Sequence, residues 1–357
     1  MPMNHFTTHL YGAWWQAVAA GEVANHFVAP QDDPAERWQA GERIIFGVRH
    51  TGEEFAFYAH NLDQRADIYS AVEEKYVGMS PYLCQFNGYR SLRPGLNNST
   101  PGRQPTLSAE PADCRFFCQN PAQPLSLVTR RPLQQVNLRH FSWNAYYNAA
   151  PIEKNGHFLW IPTQKSEGET CLPHFPQVLT FEFLEDAIHL FKKLDHTIVF
   201  FNGLNAGASV NHIHLQSVHH NQKLALETAA LASTERCTIL ADYIAPGLVF
   251  NPEQPATEIF IWVDQLHQRG IPYNLVMIRD SLRTGPESHR IVLFPRDIDH
   301  EITSELPNDR PGAPAFWGKL ITSHRQMFCD LDLPRLTRAF QKMGLSPEQF
   351  AELVNLS

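Results

Sequence analysis

The segment Gly207-Ala208-Ser209-Val210-Asn211-His212-Ile213-His214-Leu215-Gln216 holds the residue types best suited to chemistry in this chain. On an extended strand, side chains two apart share a face. His212, His214 and Gln216 then line one face, with Ile213 and Leu215 buried behind them. Gly207 and Ser209, in the loop just before, are small enough for backbone N–H groups to approach a phosphate closely. A neutral imidazole nitrogen of His214 can attack an α-phosphorus and form a phosphoramidate, dividing one displacement into two. A carbonyl accepting from the other ring nitrogen would set the tautomer. Gln216 would donate to a phosphoryl oxygen as charge shifts in the transition state. An amide is no general acid, so the set favours passing a nucleotidyl group to an acceptor over rapid hydrolysis. An H-x-H pair alone also fits a metal site or an ordinary surface face. The small-residue loop and the Gln at the next same-face position weigh towards catalysis.

The elements that must position these residues follow from pattern. Residues 142–148 (SWNAYYN) and 156–162 (GHFLWIP) read as strands, the second ended by proline. Leu179, Phe183, Leu184, Ala187, Ile188, Phe191 and Leu194 recur at helical spacing. TIVFF (197–201) is a buried strand, 202–211 a tight loop, and 212–218 the next strand. Further on, 256–269 reads as a helix, and YNLVMI (273–278) with RIVLFP (290–295) as a β pair. Short helices follow over 334–342 and 346–355, the last opened by Ser346-Pro347-Glu348-Gln349 in capping-box order. Upstream, GERIIFGVRH and EEFAFYAHNL predict two short strands joined at Thr51-Gly52, and 91–112 reads as a loop or linker. The fold class is therefore α+β, helices packed on antiparallel sheet.

Composition sets the outer limits. The chain has 357 residues, a formal net charge of −8, 18 histidines and 6 cysteines. That length is more than one compact core usually serves, so two subdomains are expected. The acidic balance argues against a general nucleic-acid binder. No 18-residue apolar run and no charged leader are present, so neither a membrane partner nor secretion is expected. The cysteines are too sparse for a disulfide scaffold, and a cytoplasmic protein with reduced thiols is expected.

Three ordered stretches carry a family likeness. They are Asn148-Ala149-Ala150-Pro151-Ile152-Glu153 with Gly156-His157-Phe158-Leu159-Trp160-Ile161-Pro162; Phe201-Asn202-Gly203-Leu204 through to Gln216; and Gly247-Leu248-Val249-Phe250, Ile271-Pro272-Tyr273-Asn274-Leu275 and Leu293-Phe294-Pro295. Together they resemble the nucleotidyl-transferring branch of the histidine-triad superfamily. That branch includes galactose-1-phosphate uridylyltransferase and diadenosine tetraphosphate phosphorylase, and the closer likeness is to the GDP-hexose phosphorylases. The resemblance spans roughly 145–296. It implies two histidine-triad-like halves, a catalytic one over 113–222 and a degenerate one over 223–357, after an N-terminal segment, 1–100, of unassigned role. It implies that a nucleoside-diphosphate sugar and inorganic phosphate give sugar 1-phosphate and a nucleoside diphosphate, with a nucleotide sugar or dinucleotide as substrate. It matches His214 to the nucleotidylated histidine, with Gln216 and His212 beside it. It places Asn148, Asn202, Gly207, Ser209 and Asn211 at the nucleotide and its phosphates. One departure is the loop Asn205-Ala206-Gly207-Ala208, where the GDP-hexose family reads Gly-Ala-Phe-Ala.

The uridylyltransferase relatives carry a Cys-x-x-Cys completed by two histidines to hold zinc. Here Cys114 and Cys118 stand in C-x₃-C spacing, and His174 and His212 are the residues to complete a site. Two reduced, partly buried thiols are the alternative, and the chemistry itself requires no cofactor. Arg130-Arg131, Lys154 and His219-His220 read as solvated surface, His157 as a packing residue, and Trp14-Trp15 as core. Competing functions are a dinucleoside polyphosphate phosphorylase, a transferase using a sugar phosphate, a regulatory nucleotide-binding protein, and a metal-storage role, with a homodimer as one candidate assembly.

Overall fold

The computed structural model describes residues 3–20, 43–48, 54–58, 72–87, 90, 107–120, 122, 126–127, 130–148, 151–163, 172–220, 222–279, 289–307 and 309–355. The predicted turn at Thr51-Gly52 and most of the predicted linker lie outside these residues. The strands either side of that turn, β1 (Arg43–Val48) and β2 (Glu54–Tyr58), pair antiparallel as expected.

Among the described residues one sheet dominates. Its strands are β5 (Gln134–Asn137), β6 (Ser142–Tyr147), β7 (His157–Pro162), β8 (Thr197–Asn202), β9 (Leu215–His219), β10 (Ala230–Ser233), β11 (Thr238–Ala241), β12 (Leu248–Phe250), β13 (Tyr273–Arg279) and β14 (His289–Pro295). They lie in the order β10-β11-β12-β14-β13-β8-β9-β7-β6-β5. Outward from the central antiparallel pair β8/β13, both halves repeat one chain order. β8-β9-β7-β6-β5 on one side matches β13-β14-β12-β11-β10 on the other. Phe200 pairs with Gln216 in the first half, and Val276 pairs with Val292 in the second. In the second half the Arg290 guanidinium donates to the Leu226 and Ala229 carbonyls. The second half repeats the strand order of the first.

Helices cover one face. α1 (His5–Ala19) is capped by Asn4, whose side chain accepts from the Thr7 N–H at 2.8 Å. It buries Leu10, Tyr11 and Trp14, with Tyr11 and Trp14 edge-on to Phe158. Trp15 is 44% exposed, so the expected core role applies to Trp14 alone. α2 (Phe181–Lys193) and α3 (Ala256–Gln268) each precede the central strand of their half. Buried Asp186 fixes α2 to the sheet, accepting from the Arg139, His140 and Phe141 amides and from Trp143 Nε1. On the other face, β3 (Glu73–Tyr76), β4 (Leu83–Phe86) and β15 (Lys319–Thr322) form a small sheet in the order β15-β4-β3. The tail helices are α4 (Leu333–Met343) and α5 (Pro347–Asn355), with the reciprocal Ser346–Gln349 capping bonds present. No helix among the described residues is long and apolar enough to cross a membrane.

Three expectations change. The strand expected over 212–218 begins at Leu215, because residues 213–214 bond sideways to Phe175 and Gln177 instead of to a strand. The alternation of faces persists: Ile213 and Leu215 enter the helix-side core. His220 is buried 3.2 Å from Glu227, so the His219-His220 pair is not a solvated turn. Arg130 is also buried, donating to the Tyr147 carbonyl at 2.6 Å and lying over the Tyr147 ring.

Candidate active site

His214 sits at the entry to β9 with only 4% of its surface exposed. Its Nδ1 is 2.8 Å from the His212 carbonyl. A carbonyl only accepts, so Nδ1 carries a proton, and in the neutral ring Nε2 holds the lone pair. That is the tautomer a nucleophile at phosphorus needs. The main chain of His214 is gripped by Gln177. The His214 N–H donates to Gln177 Oε1 at 2.9 Å, and Gln177 Nε2 donates to the Asn202 carbonyl at 2.9 Å and the His214 carbonyl at 3.4 Å. Phe116 lies edge-on to both His214 and His212.

Gln216 projects from the same face. Its Oε1 is 3.0 Å from Nε2 of buried His157, the first residue of β7. Asn148 also reaches that ring nitrogen, at 3.3 Å, while the Ile152 N–H points at the opposite ring nitrogen. The structure thus gathers His214, Gln216, Asn148 and His157, and brings His212 in behind the nucleophile.

The other expected nucleotide contacts are placed differently. Asn202 Oδ1 accepts from the Ala313 N–H and from Asn274 Nδ2, which ties the loop to the second half. Asn211 accepts from the Gln177 N–H and donates to the Leu107 carbonyl. The Gly207 N–H donates to buried Glu301, whose carboxylate also takes Arg310. Gly207 has φ +90°, and a Cβ there would fall 2.6 Å from Gly312 Cα. In this structure these three residues build the loop, with their polar groups directed at protein partners. Ser209 stands half-buried beside them.

Cys114, Cys118, His174 and His212 offer four ligand atoms within 4.8 Å of one another. Cys114 Sγ is 3.4 Å from His212 Nδ1, and Cys118 Sγ is 3.4 Å from His174 Nδ1. Those separations match the N–S edge of a tetrahedron built with zinc bond lengths of ~2.3 and ~2.0 Å. The C-x₃-C spacing works because the segment is a pair of turns, with Phe117 at φ +49°, and is not a strand. The Cys118 thiol hydrogen bond, with His212 beside it, outweighs burial and lowers the Cys114 pKa to about 3. A thiolate so favoured is a metal ligand's chemistry.

Gln177, His157 and Phe116 had no functional signal in the sequence. A lone amide between two prolines and the helix cap is a faint sign for Gln177, and His157 follows a glycine in a strand of apolar residues.

No family model matches the chain. GDP-L-galactose phosphorylase 2 of Arabidopsis thaliana is 25% identical in an alignment of 228 residues that covers 58% of this chain and 49% of that protein. The matching region is therefore about half the length of that curated relative. Crystal structures of yeast Ap4A phosphorylase Apa2 share the fold. Its AMP complex aligns with a TM-score of 0.54 at 15% identity, over 95% of this chain and 96% of that one. Its Ap4A complex aligns with a TM-score of 0.55 at 14% identity, over 97% and 99%. The motif resemblance to the phosphorylase and nucleotidyltransferase branch of the histidine-triad superfamily is borne out by these likenesses. So is the α+β fold.

Proposed function

We propose that the protein is a nucleoside-diphosphate-sugar phosphorylase of the GDP-hexose type, acting through a covalent nucleotidyl-His214 intermediate. In the first step His214 Nε2 attacks the α-phosphorus, a P–N bond forms, and the P–O bond to sugar 1-phosphate breaks. In the second step an oxygen of inorganic phosphate attacks the same phosphorus, the P–N bond breaks, and a nucleoside diphosphate leaves. The observation that carries this reading is the 2.8 Å bond between His214 Nδ1 and the His212 carbonyl. In the neutral imidazole it puts the proton on Nδ1 and the lone pair on Nε2. Gln216 donates to a phosphoryl oxygen as negative charge builds on it; loss of such a donor typically costs ~10²–10³ in rate. The sequence likeness to GDP-L-galactose phosphorylase supports the sugar-nucleotide choice.

The test uses α-³²P-labelled GDP-, ADP- and UDP-sugars. Wild-type protein should take up acid-labile label, and His214→Asn should take up none. Equal labelling of the variant would end the mechanism. The second reading is a dinucleoside polyphosphate phosphorylase, favoured by the likeness to Apa2 along nearly the whole chain. Ap4A assayed with phosphate separates the two. Turnover of Ap4A to ADP and ATP without turnover of any sugar nucleotide would make the second reading the right one.

We also propose that Cys114, Cys118, His174 and His212 hold a zinc ion. Four protein ligands close such a site, so the ion would be structural. It would fix His212, whose carbonyl sets the His214 tautomer. Metal analysis of the purified protein should find about one zinc per chain, and Cys114→Ser with Cys118→Ser should lose it and lower the melting temperature. Wild-type protein free of zinc would refute this.

A further inference from the structure

His157 is placed where a packing histidine has no reason to be. It is 1% exposed, and both ring nitrogens meet polar partners. The Ile152 N–H lies 3.3 Å from Nδ1. A backbone N–H can only donate, so Nδ1 is the acceptor and the ring proton sits on Nε2. Nε2 then donates to the atom 3.0 Å away, Oε1 of Gln216. Asn148 Nδ2 lies 3.3 Å from the same nitrogen; with the proton on Nε2, that amide would have to turn over before its oxygen could accept there. The tautomer of His157 is therefore dictated by one main-chain group.

That tautomer decides which way the Gln216 carboxamide faces. With Oε1 taken by His157, the NH₂ group is left on the opposite branch of the amide. Turned by 180°, Gln216 would present a carbonyl oxygen to an anionic phosphoryl group and repel it. We propose that His157 is a positioning residue for nucleotidyl transfer: its Nε2–H holds Gln216 in the one amide orientation that donates to the phosphoryl oxygen. This rests on the transfer reading above and adds to it the device that aims the donor. The turn that leads into β7, through the Ile152 amide, thereby reaches Gln216 by two successive hydrogen bonds.

The experiment is a double-mutant cycle on the rate at which label from the α-³²P nucleotide panel reaches His214 in a single turnover. His157→Phe keeps a ring and removes the donor; it should slow labelling ~10- to 100-fold with nucleotide affinity changed less than ~3-fold. In the Gln216→Ala background the same change should cost less than ~3-fold, because nothing is left to aim. His157→Gln, which restores an N–H donor, should recover part of the rate. ¹⁵N-histidine spectra of the wild type should show His157 as the neutral Nε2–H tautomer at pH 7. Equal losses from His157→Phe in the two backgrounds would make His157 merely structural and overturn the proposal. An Nδ1–H tautomer would overturn it too, as would His157→Gln labelling no faster than His157→Phe. Should the wild type take no label from any nucleotide, the transfer reading itself fails. Should it label while His157→Phe labels equally fast, only the aiming role fails.

Discussion

Gln177 holds the nucleophile by its main chain, where His212 holds it by its ring. It receives the His214 N–H and donates to the Asn202 and His214 carbonyls, so one side chain spans two strands' ends. Gln177→Leu would leave the buried His214 N–H and Asn202 carbonyl without these partners. Each buried group so orphaned costs about 1–3 kcal/mol. We expect a stability loss of ~2–4 kcal/mol in urea titrations and a labelling rate reduced ~10- to 100-fold from misplacement of the imidazole. A variant as active and as stable as the wild type would show that the clamp is dispensable. His214 and Gln216 were legible in the sequence because strand periodicity puts residues two apart on one face. Gln177 was not, because its role lies in bonds to a backbone 37 residues away, and side-chain identity carries no record of them.

The elements show the same division. β6, β7, β8, α2, α3, β13 and β14 were legible because each has its own hydrophobic period and stop signals. The small sheet β15-β4-β3 was not: β4 pairs in parallel with a strand more than 230 residues later, and no local pattern reports a partner that distant. That sheet gives part of the N-terminal segment a task. Gln85 donates to the Ile152 carbonyl and Asn87 to the Pro151 carbonyl, both at 3.0 Å, so β4 steadies the turn that carries the Ile152 amide to His157. Lys319 of β15 is buried between Glu74 at 2.6 Å and Glu153 at 2.5 Å. Burial opposes its charge, but the two carboxylates prevail and keep its pKa above the usual lysine value. At the end of β15, Asp309 has no such cation close enough to prevail. Burial raises its pKa to about 7, against a hydrogen bond from Thr322 and the charge of Arg90. Its folded pKa lies above its unfolded one, so the folded state binds the extra proton. Stability is therefore intact below about pH 4 as far as this group is concerned, and falls as pH rises towards 7. Asp309→Asn removes the ionisation. It should stabilise the protein at pH 8 by on the order of 2–4 kcal/mol, with the gain shrinking as pH falls to 5. Melting curves of both proteins across pH 5–8 provide the check, and a gain independent of pH would assign the effect to packing instead.

The molecule as a whole is two copies of one five-strand pattern joined back to back. The resemblance in the sequence implied two halves; the pairing that joins the two strand sets appears only in three dimensions. β8 and β13 pair at the centre, and beside them Asn274 donates to Asn202 Oδ1 at 2.9 Å and to the Ala206 carbonyl at 2.7 Å. Asn274 Oδ1 in turn accepts from Arg296 Nη1 at 2.8 Å. Arg296 is fully buried, lies 4.3 Å over the Phe316 ring, and also donates to the Pro311 and Met343 carbonyls. Burial lowers its pKa to about 10, with Glu301 and Asp297 opposing, so it remains charged at neutral pH. Asn274 thus binds the loop that leads to His214 to the second half, beside the Ala313–Asn202 and Gly207–Glu301 bonds. Removing that amide exposes two costs together: a buried cation short of one acceptor, and an Ala206 carbonyl with its Asn274 donor gone. Truncating one partner of a buried charge typically costs about 3–5 kcal/mol; a hydrogen-bonded neutral partner puts Asn274→Ala at ~2–4 kcal/mol. The loss should appear as a lower urea midpoint with an unchanged slope if the halves unfold as one unit, since the slope follows the surface exposed. Arg296→Met removes the charge along with its need for a partner, so adding Asn274→Ala to it should cost distinctly less than in the wild type. Two separate transitions in the wild type, or full additivity of the two substitutions, would show that the halves are independent and that this junction only touches them.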